Sequence, residues 1–125
     1  MELKDVLEQS GNLNYGIIGN CKSSALIYED SSIDWCCLPQ FDSPSVFGKI
    51  LDKNIGGSFK IECDPSYVIA QEYIEKTCIL VTRFTNSDSE FEVVDFMPRY
   101  QKDDGIHYAP PEIVRVLRPI KGSPK

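Results

Sequence analysis

The sequence has one histidine, one tryptophan and no stretch in which lysine or arginine clusters. Zinc sites need paired ligands at short spacing, and the five cysteines Cys21, Cys36, Cys37, Cys63 and Cys78 contain no Cys-x-x-Cys pair to join the lone His107. No metal and no cofactor are expected. An odd cysteine count, with no export signal in the opening MELKDVLEQSGN, also argues against a disulfide framework, so reduced and mostly buried thiols are expected. Long apolar runs are missing too. The longest aliphatic stretch is Cys78 to Val81, against the roughly 18 residues of a membrane span. With a net charge of -6 and a pI near 4.7, the chain lacks the basic stripe that phosphate backbones or anionic membrane surfaces require. A cytoplasmic location, away from nucleic acid and membrane, is the expectation.

What remains is an ordinary globular composition, 42% hydrophobic and 26% charged. A chain of 125 residues suits one domain and buries a little under roughly 70% of its unfolded surface. Residues 2–9 carry Leu3, Val6 and Leu7 at helical spacing before Ser10-Gly11-Asn12 breaks the pattern. Residues 1–14 are read as an N-terminal extension and 15–125 as the domain. Tyr15–Gly19, Ser24–Tyr28 and Ile33–Leu38 follow as short apolar strands, the last two joined by the polar turn Glu29-Asp30-Ser31-Ser32. Strict alternation places Ile33, Trp35 and Cys37 on one face and Asp34, Cys36 and Leu38 on the other.

Pro39 ends that strand. Asp42 or Ser43 is placed to cap a short helix near residues 44–51, with Pro44 at its first position and Val46, Phe47, Ile50 and Leu51 turned inward. Further strands are expected at 58–63, 67–76, 78–85, 90–97 and 112–120, with a polar loop over 98–111. Closely spaced strands with polar turns predict an antiparallel all-β sandwich rather than βαβ units. The chain stops directly after a strand, as the first part of a longer domain would.

Several residues have types that carry chemistry elsewhere. Glycosidases hold two carboxyls about 5–9.5 Å apart across the scissile bond. Asp34, Asp42 and Asp95 are the carboxylates beside aromatic or apolar stretches, yet a solvated strand residue, a helix cap and a hydrogen-bonded strand-end acceptor explain them as well. His107 lies in a polar loop, and Ser43 and Ser45 lack the surroundings of a nucleophile elbow. Gly16 and Gly19 lack the third glycine and following helix of a dinucleotide loop. Trp35, Phe41 and Tyr15 could stack on sugar rings, face a neighbouring domain or fill a core.

The order of these pieces resembles glycoside hydrolase family 15, the bacterial and archaeal glucoamylase and trehalase-like proteins. The resemblance runs through Tyr15-Gly16-Ile17-Ile18-Gly19-Asn20, Ser24-Ala25-Leu26, Asp30-Ser31-Ser32-Ile33-Asp34-Trp35 and Leu38-Pro39-Gln40-Phe41-Asp42-Ser43-Pro44-Ser45-Val46-Phe47. It continues through Gly56-Gly57-Ser58-Phe59, Thr82-Arg83-Phe84 and Asp95-Phe96-Met97-Pro98. Two positions depart from it. Gln40 stands where the family commonly has a basic residue. Ser31 stands where glycine is usual, which a turn avoiding positive φ would tolerate.

The resemblance implies an N-terminal β-sandwich of the supersandwich kind, followed in the parent by an (α/α)6 toroid carrying two catalytic glutamates. That toroid would cleave α-glucosidic bonds with inversion. Neither glutamate maps onto this chain, so no catalytic residue is assigned. The implied role is packing on the toroid, with Trp35, Pro39, Phe41, Asp42 and Ser43 forming a substrate-rim or interdomain loop. The partners to expect are the catalytic domain, α-glucan or trehalose at the domain edge, and further copies of the chain when isolated.

Overall fold

The computed structural model describes residues 14–125 and is all-β, without a helix among them. The helical reading of residues 2–9 lies outside the described residues. Ten strands are present: β1 Tyr15–Gly19, β2 Ser24–Tyr28, β3 Ile33–Cys37, β4 Ser45–Phe47, β5 Val68–Tyr73, β6 Leu80–Thr85, β7 Glu90–Phe96, β8 Tyr100–Gln101, β9 His107–Tyr108 and β10 Val114–Lys121. They form a first sheet β1-β2-β3-β4, a second sheet β10-β7-β6-β5 and a small β8-β9 hairpin, paired antiparallel throughout. None of its elements is a helix long and apolar enough to cross a membrane.

The two four-stranded sheets pack face to face as a sandwich. Ile18, Ala25, Ile27, Ile33 and Cys36 of the first sheet meet Leu80 of the second, with Met97, in one buried cluster. Burial pushes the Cys36 thiol up to about 11, which keeps it a protonated core residue. A second cluster holds Tyr67, Phe84, Phe91 and Val93, with the Phe84 and Phe91 rings stacked 4.5 Å apart and Tyr67 edge-on to both. Gly16 marks the closest approach of the sheets, since a Cβ there would lie 2.6 Å from the buried Leu80 side chain. The free edge of β1 is closed by Tyr73, whose hydroxyl accepts from the Ile17 N–H at 2.7 Å and donates to its carbonyl at 3.0 Å.

Four expectations are corrected. The segment 44–51 is not a helix: Phe47 pairs with Cys36 and Ser45 with Cys37, so the chain adds a strand to β3. The chain then closes a tight loop in which a Cβ on Gly56 would sit 2.1 Å from the Gly48 carbonyl oxygen, and Ile50 and Leu51 stay exposed. Residues 58–63 form no strand; Phe59 makes a single bridge to Ile33 while Ile61 and Cys63 cover the second cluster. The loop 98–111 contains the β8-β9 hairpin. The cysteines divide: all are free, Cys36 and Cys37 buried, Cys63 half-buried, Cys21 and Cys78 exposed.

Two ion-pair groups organise the second sheet. On its inner face Asp95 is fully buried and takes a two-pronged contact from Arg115, at 2.7 and 2.9 Å. Burial raises the Asp95 carboxyl, and the Arg115 fork offsets part of that rise. The same guanidinium donates to the carbonyls of Ser31 and Phe59 and lies 4.8 Å over the Phe59 ring, so one side chain of β10 grips the turn of the first sheet. On the outer face, buried Glu92 receives Arg83 from β6 and Arg118 from β10. Burial alone would raise the Glu92 carboxyl, but the two arginines outweigh it and hold it below the usual range.

Arg115→Ala should lower unfolding free energy by about 3–5 kcal/mol in urea titrations, because it strands a buried carboxylate. Pairing Arg115→Met with Asp95→Leu should recover part of that loss. A second expectation concerns acid. The folded state binds a proton at Glu92 more weakly than the unfolded chain, so this stabilisation is complete above the unfolded value of about 4.3 and is lost as pH falls through the lower folded value. Glu92→Gln should therefore melt below the native chain at pH 7, with the gap narrowing on titration into acid.

Candidate functional site

The aromatic stretch around Trp35 and the loop after it separate into two places. In β3 the register shifts: Leu26 opposes Trp35 but Ile27 opposes Ile33, which leaves Asp34 as the extra residue of a bulge. The bulge overturns the strict alternation expected of this strand. Ile33 and Cys36 both enter the core, and Trp35 is half-buried on the opposite, outer face, in register with Leu26 and Ile17.

Asp34 is not solvated. It is 2% exposed and accepts hydrogen bonds from the hydroxyls of Tyr15 at 2.8 Å and Ser32 at 2.5 Å, with Lys49 at 3.8 Å. Burial and the Asp34 hydrogen bond raise the Tyr15 phenol above its ordinary value, so it stays a neutral donor. The Tyr15 and Tyr28 rings meet at 5.2 Å beside it.

The loop residues lie elsewhere. A cis Leu38–Pro39 bond leads into exposed Pro39, Phe41 and Asp42, and the Phe41 N–H donates to the Lys22 carbonyl at 3.1 Å, tying the loop to the β1–β2 turn. Asp42 caps no helix. Ser43 instead closes a turn, its hydroxyl accepting from the Gln40 N–H at 3.2 Å and its own N–H donating to the Gln40 carbonyl. The β1–β2 turn is itself fixed by buried Asn20, which accepts from the N–H groups of Lys22 and Ser23 and donates to the Pro110 carbonyl at 2.9 Å. Phe41 is 54% exposed at the tip of this held loop.

Asp34, Asp95 and Glu92, the buried carboxylates, are each held by donors named above, and His107 sits exposed in β9. Among the described residues no group of three His, Cys, Asp or Glu side chains could hold a metal ion. Ser31, already marked in the sequence as standing where glycine is usual, departs from the turn geometry expected of it. Ser31 has φ 67, is fully buried, and its hydroxyl has no hydrogen-bond partner. The turn does not avoid positive φ, and the serine bears the conformation that glycine takes without strain.

Comparison with known proteins places this fold. Residues 10–120 match the family model of the trehalase-like N-terminal domain, and the chain belongs to that family. It is 41% identical over 86 residues to trehalase 2 of Sulfolobus acidocaldarius and 45% identical over 87 residues to a trehalase of Thermoplasma volcanium. These alignments cover 69% and 67% of this chain but 14% of each relative. No solved structure matches.

Ser31→Gly should stabilise the domain by about 1 kcal/mol or more. It relieves a left-handed residue costing about 1–2 kcal/mol and removes an unpartnered buried hydroxyl, against a glycine entropy cost of about 0.5–1 kcal/mol. The Ser31 carbonyl that receives Arg115 is retained. A urea midpoint at or below the native one would contradict this account.

Proposed function

We propose that this chain is the noncatalytic N-terminal β-sandwich of a trehalase-type glycoside hydrolase of family 15, acting in the cytoplasm, with residues 15–125 as the first part of that domain. The observation carrying this reading is the family match together with buried carboxylates that are all spent on structural donors. The domain packs on the (α/α)6 body that carries the catalytic glutamates and shapes its rim. Substrate is an α-glucoside, with trehalose favoured over starch because trehalases are the relatives. Sugar contact at the domain edge is a second role, supported by the exposed Phe41 ring on its held loop.

Incubated with α,α-trehalose, maltose and maltooligosaccharides, the chain 1–125 should release no glucose above buffer. Robust turnover would overturn the noncatalytic role. For the second role, maltoheptaose at millimolar concentration should shift the amide resonances of residues 39–43, and unchanged spectra would remove it.

A further inference from the structure

The first sheet is apolar on both of its faces. A one-sided antiparallel strand alternates apolar and polar residues, and strands apolar at successive positions are covered on both sides. β1 carries Ile17 beside Ile18, β2 carries Ala25-Leu26-Ile27, and β3 carries Trp35 beside Cys36. Ile18, Ala25, Ile27 and Cys36 fill the core. Their neighbours point outward, where register sets Ile17, Leu26 and Trp35 in one row across three strands. Ile17 is 55% exposed, and Val46, the unpaired residue where the register of β4 shifts beside Phe47, is 53% exposed. The carboxylate that the bulge turns toward this face, Asp34, is satisfied by Tyr15, Ser32 and Lys49 and presents no free charge to a partner.

Resting on the reading above, we propose that this outer face, Ile17–Leu26–Trp35, is the surface on which the helical body of the hydrolase seats, in place of the Pro39–Ser43 loop. A sheet face is covered by another sheet or by helices, and the second sheet already occupies the inner side. In the trehalase relatives the matched stretch is 14% of the chain, so a far larger body accompanies it in the same polypeptide. A covalent neighbour needs only a modest apolar patch, because tethering supplies effective concentration. The β10 edge is a poorer seat. Pro119 lacks a donor there and the register breaks between Pro119 and Lys121.

The experiment exchanges the matched N-terminal stretch of the Thermoplasma volcanium trehalase for this chain and compares hydroxyl-radical labelling of Trp35 and Ile17 in the full-length chimera and in the chain alone. Labelling of both should drop several-fold in the chimera while Phe41 changes less. Ile17→Thr should leave the melting of the isolated chain unchanged and lower that of the chimera. A chimera that hydrolyses trehalose with Trp35 labelled as in the free chain would overturn this assignment and leave the domain reading standing. A misassembled, inactive chimera with Trp35 unprotected would count against both. If the chain alone sediments as a dimer with Trp35 already protected, the occupant is a second copy and the assignment to the helical body fails.

Discussion

A largely buried guanidinium ties the two halves of this sandwich together. Arg115 is 5% exposed and divides its donors between Asp95 on the neighbouring strand of its own sheet and two main-chain carbonyls that belong to the other side, Ser31 and Phe59. Such a pair adds little net stability over an apolar substitute, because desolvating both ions offsets most of their attraction. What it adds is specificity. A sliding of one sheet over the other would leave an ion or a carbonyl buried without a partner, at a cost of several kcal/mol that apolar contacts alone would not impose. Ser31 sits where the cost of this arrangement collects: its carbonyl must face Arg115, and the backbone reaches that orientation at positive φ.

Much of the sandwich was legible because strands declare themselves through alternation. β6 and β7 read as strands, and their register sets Phe84 opposite Phe91 and Thr82 opposite Val93. The antiparallel β class follows from such segments, and family resemblance added the domain type. The errors have local causes. At 44–51 a proline after Asp42-Ser43 has the look of a helix start, but β3 offers an unpaired edge, and pairing with Cys36 and Cys37 satisfies the backbone of β4 more completely than one helical turn can. At 98–111 the polarity concealed a hairpin whose signal, Asp104-Gly105 between Tyr100-Gln101 and His107-Tyr108, was present in the sequence.

The residues singled out from the sequence do not form one place in the structure. Trp35 and the Pro39–Ser43 loop are close in sequence, yet one belongs to a sheet face and the other to a turn cluster with Lys22. The decisive feature is the bulge at Asp34, which no period-2 pattern reveals, since an extra residue in a strand costs nothing in composition. It reverses the face of Trp35 and buries Asp34 against Tyr15. Once the bulge is in place the carboxylate stops being a candidate acid. It becomes the reason that Tyr15, the first residue of β1, is held across the sheet from β3.

The bulge also explains why the first sheet can be apolar on both sides without losing its register. A strand with apolar residues at successive positions has two equally greasy faces, and a one-residue slip would exchange them at little energetic penalty. Asp34 breaks that degeneracy: it can be satisfied only where the hydroxyls of Tyr15 and Ser32 and the ammonium of Lys49 meet it, so β3 has one acceptable pairing. With register fixed by a polar residue, the outer face is free to be selected for something other than folding. Ile17 remains more than half exposed there beside half-buried Leu26 and Trp35, an arrangement that contributes little to the isolated sandwich and gains its value when a second apolar surface covers it.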